Sequence, residues 1–165
     1  MDYKKDYLPY LKAKVKETRY IHTLGVIYEA MLLSSIYGAN IDKARIAATL
    51  HDYTKYLDPT KEKEIMIKYY GYNTYTRYPQ PIYHGFTSAI IVKEEFDIDD
   101  NEILDAIRYH SIGRTDMSLL EKIIYVADYT EPNRKSEESR RIHEIALKDL
   151  DLALYYSMKS VIEGN

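Results

Sequence analysis

Apolar residues recur every three or four positions along nearly the whole chain, between short polar breaks, and this spacing predicts α-helices. The clearest case is the segment 19–37, which Gly38 ends. The apolar positions of this segment mark one helix face: Ile21, Leu24, Tyr28, Met31 and Leu32.

Eight further helices are predicted, at about 9–16, 42–52, 59–71, 84–96, 100–109, 118–129, 137–148 and 150–163. Glycine, asparagine and two prolines predict that residues 71–83 form one long loop. Nothing in the pattern argues for strands. The predicted fold class is therefore all-α, a single-domain helical bundle, and 165 residues fit one domain of roughly 150 residues.

The absence of cysteine limits the chemistry of the chain. It excludes disulfides, thiolate metal sites, iron–sulfur clusters and cysteine nucleophiles, so a metal site must use the five histidines and the carboxylates. The 23 basic and 26 acidic residues nearly balance, which argues against nucleic acid as a partner. We find no signal peptide and no membrane-length apolar run, and expect a cytoplasmic protein that makes no membrane contact.

Two carboxylate positions conflict with a purely structural bundle. His51-Asp52 ends an apolar helix, and Asp128 follows the apolar run 123–127, on or beside the predicted buried stripe. A carboxylate in a core costs several kcal/mol unless it is paired or binds a metal. For Asp128 alone, an ion pair with an arginine explains the pattern better than a metal does. A single histidine is likewise more often a hydrogen-bonded core or surface residue than a metal ligand.

Four histidines share this kind of position, at a helix end or on an apolar face, each on a different helix: His22, His51, His84 and His110. Neutral imidazole and carboxylate suit iron, manganese, zinc, nickel or cobalt, and helical bundles build such sites where helices converge. Together, these positions favour a histidine–aspartate metal site.

The order of these residues resembles that of the HD-domain metal-dependent phosphohydrolases that hold two metals. The similarity covers nearly the whole chain and narrows to the YqeK-type symmetrical bis(5′-nucleosyl)-tetraphosphatases. Five segments carry it: RYIHTLGV (19–26), LHDYTK (50–55), YHG (83–85), AIRYHSIGR (106–114) and LEKIIYVADYTEPNR (120–134).

The resemblance implies a single HD domain over 1–165, with a metal-ligand core at about 19–130 and C-terminal helices at about 137–163. The ligands that it implies for the first metal are His22, His51, Asp52 and Asp128. Those for the second metal are His84 and His110, with Asp52 bridging both metals. The expected cofactors are two divalent or trivalent metal ions; iron is usual in the family, and manganese or other transition metals suit the same donors.

The activity implied by the resemblance is hydrolysis of diadenosine tetraphosphate and related dinucleoside polyphosphates. Cleavage would be symmetrical, to two nucleoside diphosphates, by a metal-bridging hydroxide. Three alternatives stay open: an HD phosphohydrolase for a mononucleotide or guanosine polyphosphate, a nucleotide-binding regulatory module with a structural metal, and a purely structural helical protein. The expected partner is a small nucleotide, and a homo-oligomer is compatible with the sequence.

Candidate functional residues outside the histidines are of two kinds. The candidate catalytic residues are Asp52, Lys55 and Arg134, and the candidate substrate contacts are Lys55, Tyr83, Arg114 and Arg134. Lys55 comes one helical turn after Asp52, and Arg134 has the guanidinium needed for a bidentate phosphate contact. The structural alternatives are a solvated helix-end lysine for Lys55 and an ion pair with Glu131 or Glu137 for Arg134.

Tyrosine is the main aromatic residue, with 19 Tyr against two Phe and no Trp. Six of the tyrosines fall within 69–83, directly before His84. We interpret them as packing aromatics, except for Tyr83, which adjoins a predicted ligand. His143 lies on a charged helix and is predicted to be a surface residue without a role.

Overall fold

The structure is a computed structural model that describes residues 1–164. Within this range the chain forms ten α-helices, one 3₁₀-helix and no β-strand, which confirms the predicted all-α fold class. The α-helices are α1 (Leu8–Lys12), α2 (Glu17–Tyr37), α3 (Ile41–Leu50), α4 (Pro59–Tyr70), α5 (Tyr72–Arg77), α6 (Tyr83–Phe96), α7 (Asn101–Arg108), α8 (Leu119–Thr130), α9 (Glu137–Ala146) and α10 (Leu150–Ile162). None of the helices in these residues combines the length and the apolar character needed to cross a lipid bilayer.

Six helices within residues 1–164 have an N-cap residue whose side chain accepts a hydrogen bond from a backbone N–H group of the first turn. These residues are Asn40 (α3), Asp58 (α4), Asp100 (α7), Ser118 (α8), Ser136 (α9) and Asp149 (α10). Such caps contribute about 1 kcal/mol each, because the first N–H groups of a helix lack intrahelical partners. α1 ends at Lys12, earlier than the predicted end near Lys16.

The segment 71–83 differs from its prediction as one long loop. It contains α5 and the 3₁₀-helix Gln80–Ile82. Gly71, at φ 89°, separates α5 from α4. Tyr75 and Tyr78 pack against a small apolar cluster of buried side chains. Tertiary packing therefore gives helical structure to a segment that is rich in turn residues.

α3 lies at the centre of the bundle, where it packs against α2, α7 and α8. Ala44, Ala47 and Ala48 are inaccessible to solvent, and their small side chains allow the neighbouring helices to approach closely. His51 and Asp52 follow the last residue of α3. They therefore lie in the middle of the molecule, close to side chains of α2, α7 and α8.

The buried face of α2 is not the face that its apolar spacing marks. Tyr28 is 62% exposed, and Ile21 and Leu24 also face solvent. The buried residues of α2 are His22, Thr23, Gly25, Val26, Glu29, Ala30, Leu33 and Ser34. His22 and Glu29 are tolerated on this face because groups of α8, α9 and the segment between them bond to their side chains. Apolar spacing alone thus assigns the wrong face to this helix.

Candidate metal centre

The structure brings the six predicted metal ligands together in the middle of the bundle. They come from five parts of the chain: His22 from α2, His51 and Asp52 from the end of α3, His84 from α6, His110 from the end of α7 and Asp128 from α8. The four imidazoles and Asp52 are buried. Residues that are far apart in sequence therefore share one small polar volume inside an apolar core.

Asp128 and His51 define the first half of this cluster. Oδ1 of Asp128 lies 2.8 Å from Nε2 of His22 and 3.6 Å from Nε2 of His51. Nε2 of His51 also lies 3.3 Å from Oδ2 of Asp52. These side chains are the ones that the resemblance assigns to the first metal.

His84 and His110 define the second half. Their Nε2 atoms lie 3.0 Å apart, and they lie 3.0 Å and 3.6 Å, respectively, from Oδ1 of Asp52. Asp52 therefore faces His51 with one carboxylate oxygen and the other two histidines with its second oxygen. This is the placement that a carboxylate bridging two cations requires.

Each imidazole has its Nδ1 atom occupied by an oxygen outside the cluster. His51 donates to the carbonyl of Ala48 at 2.6 Å, and His110 donates to the carbonyl of Ile107 at 2.7 Å. These acceptors belong to the last turns of α3 and α7, where carbonyl groups lack intrahelical partners. The remaining pairs are His84 with Pro81 O at 2.9 Å and His22 with Glu131 Oε2 at 2.8 Å.

A neutral imidazole that donates through Nδ1 presents a lone pair at Nε2, the form in which histidine binds metals. Four such Nε2 atoms and two carboxylates point into one volume. Nε2 of His51 is buried and makes no hydrogen bond with any residue of the described range. Two groups of ligand atoms, each within 4.8 Å of one another, are close enough to hold a metal ion: His22, His51 and Asp128, and His51, Asp52 and His110. The donor set fits divalent transition metals.

The two buried carboxylates of the cluster favour positive charge on the groups around them. Burial raises the pKa of Asp52, but the facing His51, His110 and His84 rings outweigh this effect and place that pKa well below its usual range. Burial also raises the pKa of Asp128, but His22 and His51 outweigh this effect and lower that pKa well below its usual range. Burial lowers the pKa of His51, but the two carboxylates raise it to about 10. A metal ion that binds here competes with such protons.

A cavity of about 290 Å³ lies over the cluster and opens to solvent. Three cations line it: Arg19, Lys55 and Arg134. Arg19 Nη1 lies 3.3 Å from Oδ2 of Asp52, and Arg134 Nε donates to the carbonyl oxygen of Asp128 at 2.7 Å. The rest of the wall beyond the candidate ligands consists of Ser111, Tyr125, Tyr129 and Val161. The cavity therefore joins a cationic rim to a partly aromatic wall.

Two of the sequence-predicted substrate contacts lie elsewhere. Tyr83 is buried in the second apolar cluster and donates its hydroxyl to the carbonyl of Tyr75 at 2.6 Å. Arg114 forms an ion pair with Glu121 at 2.6 Å and lines a separate cavity beside α10. These placements give no support to a substrate role for either residue, whereas Lys55 and Arg134 line the cavity over the cluster.

Three side chains were missed or misjudged by the sequence interpretation. Arg19 precedes His22 by one helical turn, and that spacing is a signal that could have identified it. Glu131 was considered only as an alternative ion-pair partner of Arg134, but its carboxylate accepts a hydrogen bond from His22. His143 is not a surface residue: it is partly buried and lies 2.5 Å from the fully buried carboxylate of Glu29.

Comparisons with known proteins agree with this geometry. Residues 19–133 match the family model described as HD domain. The chain is 40% identical over 152 residues to the symmetrical bis(5′-nucleosyl)-tetraphosphatase of Bacillus subtilis, covering 92% of this chain and 82% of the relative. It is 38% identical over 155 residues to the protein of the same name from Halalkalibacterium halodurans, covering 94% and 83%, respectively.

A solved structure has the same fold. The crystal structure described as a predicted HD superfamily hydrolase involved in NAD metabolism, from Clostridium acetobutylicum, superposes with a TM-score of 0.83. That protein is 38% identical in sequence, and the match covers 94% of this chain and 83% of the other. The likeness thus extends over nearly the whole helical arrangement.

Proposed function

Since the chain belongs to the HD-domain family, in the branch of the symmetrical bis(5′-nucleosyl)-tetraphosphatases, we propose that it hydrolyses diadenosine tetraphosphate and related dinucleoside polyphosphates to two nucleoside diphosphates. The observation that carries this proposal is the arrangement of the cavity: six histidine and aspartate side chains lie beneath a rim of three cations. Both parts suit a polyphosphate, which needs cations around its oxygens and an activated water at one phosphorus.

The metal assignment follows the two halves of the cluster. His22, His51, Asp52 and Asp128 would hold one ion, and His84 and His110 would hold the other with Asp52 between them. We propose iron, with manganese as the alternative, because imidazole and carboxylate donors accept both. When bound, such ions supply Lewis acidity, which activates water near neutral pH and offsets negative charge on phosphate.

Lys55, Arg19 and Arg134 would bind the phosphate chain. A polyphosphate carries about one negative charge per phosphate, and three cations at one rim offset most of the charge of a tetraphosphate. Arg19 and Arg134 provide planar guanidinium groups that form paired hydrogen bonds to phosphate oxygens. Lys55 contributes a flexible point charge at the same edge of the cavity.

Tyr125, Tyr129 and Val161 form a wall onto which a nucleobase would pack. Aromatic side chains stack on bases whatever the base is, so this wall suits a nucleoside at one end of the polyphosphate. Cleavage at the central anhydride then requires that the middle of the phosphate chain lies over the ligand cluster. Since the proposed substrate and products are nucleotides, we place the reaction in the cytoplasm.

Product analysis tests the proposed function. The metal-free protein is reconstituted anaerobically with Fe²⁺, or separately with Mn²⁺, and is incubated with diadenosine tetraphosphate. ADP as the only nucleotide product supports the proposal, whereas ATP together with AMP would contradict symmetrical cleavage. Asp52→Asn is the matched control, because it keeps the side-chain shape and removes the bridging charge. Faster turnover of a mononucleotide or a guanosine polyphosphate would favour the alternative substrates.

A further inference from the structure

Glu131 contacts the ring of His22 on the side that faces away from Asp128. It directly follows the last residue of α8, and only 1% of its surface is exposed. Its Oε2 accepts the Nδ1–H of His22 at 2.8 Å, and its Oε1 accepts the backbone N–H of Asn133 at 2.5 Å. Both carboxylate oxygens of a buried side chain are thus committed to fixed donors.

We propose that Glu131 is a positioning residue for His22: its carboxylate fixes the orientation and the tautomer with which Nε2 of the ring faces Asp128. The inference rests on the proposed metal function of His22. A carboxylate behind a ligating histidine also increases the basicity of the ring, and losing such a partner typically weakens metal binding by about 10–100-fold.

The position of His22 in its helix explains why this ring needs a side-chain acceptor. His51 and His110 follow helix ends and bind carbonyl groups that helical hydrogen bonding leaves free. His22 lies inside α2, where backbone carbonyls accept helical N–H groups. The carbonyl of Arg19, one turn before it, also accepts the hydroxyl of Thr23 at 3.0 Å. An acceptor for Nδ1 must therefore come from outside α2.

Gly25 makes room for this acceptor. A Cβ atom at Gly25 would lie 2.1 Å from Oε1 and 2.8 Å from Cδ of Glu131, so no larger residue fits without moving the carboxylate. Glycine inside a helix costs roughly 1 kcal/mol relative to alanine. Its presence one turn after His22 is explained by the space that the Glu131 side chain occupies.

Arg140, on α9, anchors the turn that carries Glu131. Its guanidinium donates to the backbone carbonyls of Thr130, of Glu131 at 2.8 Å and of Arg134 at 3.0 Å. Asn133 adds a bond from its side-chain amide to the carbonyl of Ile21 at 3.2 Å. The turn is therefore held from both sides, so that Glu131 reaches His22 with a defined geometry.

The first test measures the protonation of the His22 ring in the metal-free protein. Long-range ¹⁵N–¹H NMR of histidine-labelled protein, with His22→Gln for assignment, should show a proton on Nδ1 of His22. In Glu131→Ala the Nδ1 atom should lose this proton, whereas Glu131→Gln, whose amide oxygen still accepts, should keep it on Nδ1. A wild-type ring without a proton on Nδ1, or an unchanged ring in Glu131→Ala, would overturn the inference.

The second test is a titration of the metal-free proteins with Mn²⁺. Glu131→Ala should weaken one of the two sites by about 10–100-fold and leave the other at its wild-type affinity. Gly25→Ala should reproduce this loss of affinity, and Glu131→Gln should lose less affinity. Glu144→Gln, which replaces an exposed carboxylate on α9, should bind Mn²⁺ like the wild type. Equal weakening of both sites, or of neither, would contradict a role specific to His22.

Both tests use no substrate and so separate this inference from the proposed function. A protein that shows the ring and affinity changes but does not cleave diadenosine tetraphosphate keeps the inference and loses the proposed function. A protein that cleaves the substrate symmetrically while Glu131→Ala leaves ring and affinity unchanged loses only the inference.

Discussion

Nε2 of His84 lies 3.0 Å from Nε2 of His110, and each ring is held from behind by a backbone carbonyl. Two neutral rings in this arrangement direct their lone pairs at one another, which is unfavourable unless a proton or a cation lies between them. Oδ1 of Asp52 lies 3.0 Å from Nε2 of His84, so the same position also meets a carboxylate. This relationship supports the assignment of the two histidines to the second metal.

Replacing one of these rings should therefore remove one metal and leave the other. In His110→Ala, the metal content of protein reconstituted anaerobically with Fe²⁺ is expected to fall from about two ions per chain to about one. Loss of one Lewis acid should lower kcat by at least about 100-fold. Elemental analysis and turnover of diadenosine tetraphosphate check both values, and retention of two ions would refute the assignment.

Arg134 and Arg114, which the sequence suggests as substrate contacts, are expected to behave differently. Arg134 lines the cavity over the cluster, and Arg134→Ala should raise KM by about tenfold through loss of a charge-assisted hydrogen bond to phosphate. Arg134→Lys should recover only part of the lost substrate affinity, because lysine lacks the planar guanidinium that forms paired hydrogen bonds. Steady-state kinetics with diadenosine tetraphosphate decide this; an unchanged KM in Arg134→Ala would exclude a phosphate contact.

Arg114→Ala is the matched comparison. Arg114 binds Glu121, whose carboxylate is 2% exposed and would lose its main partner. The expected effect is a loss of about 1–3 kcal/mol in the free energy of unfolding, with KM close to the wild-type value. Urea denaturation measures the first quantity. A large rise in KM with unchanged stability would instead restore the substrate role that the sequence suggested.

The helices were predictable because their spacing, caps and breaks are local signals. Ser118 and Glu121 show both the reach and the limit of such signals. Their spacing, S-L-L-E, is that of a capping box, and the side chain of Ser118 accepts the backbone N–H of Glu121 at 3.1 Å. The carboxylate of Glu121, however, binds Arg114 rather than the start of its own helix. A pattern of residues gives the cap, but the partner of each side chain depends on the folded neighbourhood.

The same distinction holds for the site. The order of histidines and aspartates indicated which side chains meet, and the structure brings all six together. Glu131 lies 109 positions from His22, and no local pattern connects the two. The buried face of α2 was misassigned for a related reason, since His22 and Glu29 are buried only because distant partners satisfy them.

Glu62 gives a prediction for the pH dependence of stability. Its side chain is 2% exposed, and burial raises its pKa above the ordinary 4.5, against a hydrogen bond from Gln80. The folded pKa then exceeds the unfolded pKa, so the contribution of this group is present at acid pH and is lost as pH rises through the folded pKa. Glu62→Gln should therefore gain stability relative to the wild type as pH increases.

Urea denaturation of wild type and Glu62→Gln at several values between about pH 4 and pH 8 measures this difference, because other titrating groups cancel in the comparison. Glu64→Gln, at an exposed carboxylate of the same helix, serves as the control for exchanging a carboxyl group for an amide on α4. A difference for Glu62→Gln that stays constant across the range would mean that Glu62 does not titrate with a raised pKa.

The pair of Glu29 and His143 provides the last prediction. Glu29 is fully buried, and its Oε2 meets Nδ1 of His143 at 2.5 Å and the hydroxyl of Thr130 at 2.7 Å, which ties α2 to α8 and α9. His143→Ala leaves the buried side chain of Glu29 without one of its two hydrogen-bond partners and should lower the free energy of unfolding by about 1–3 kcal/mol. Because the two side chains contact each other, adding Glu29→Gln to this variant should cost less than the same change costs in the wild type. Urea denaturation of both variants tests this, and a loss below about 1 kcal/mol in His143→Ala would return His143 to the role of an ordinary surface residue.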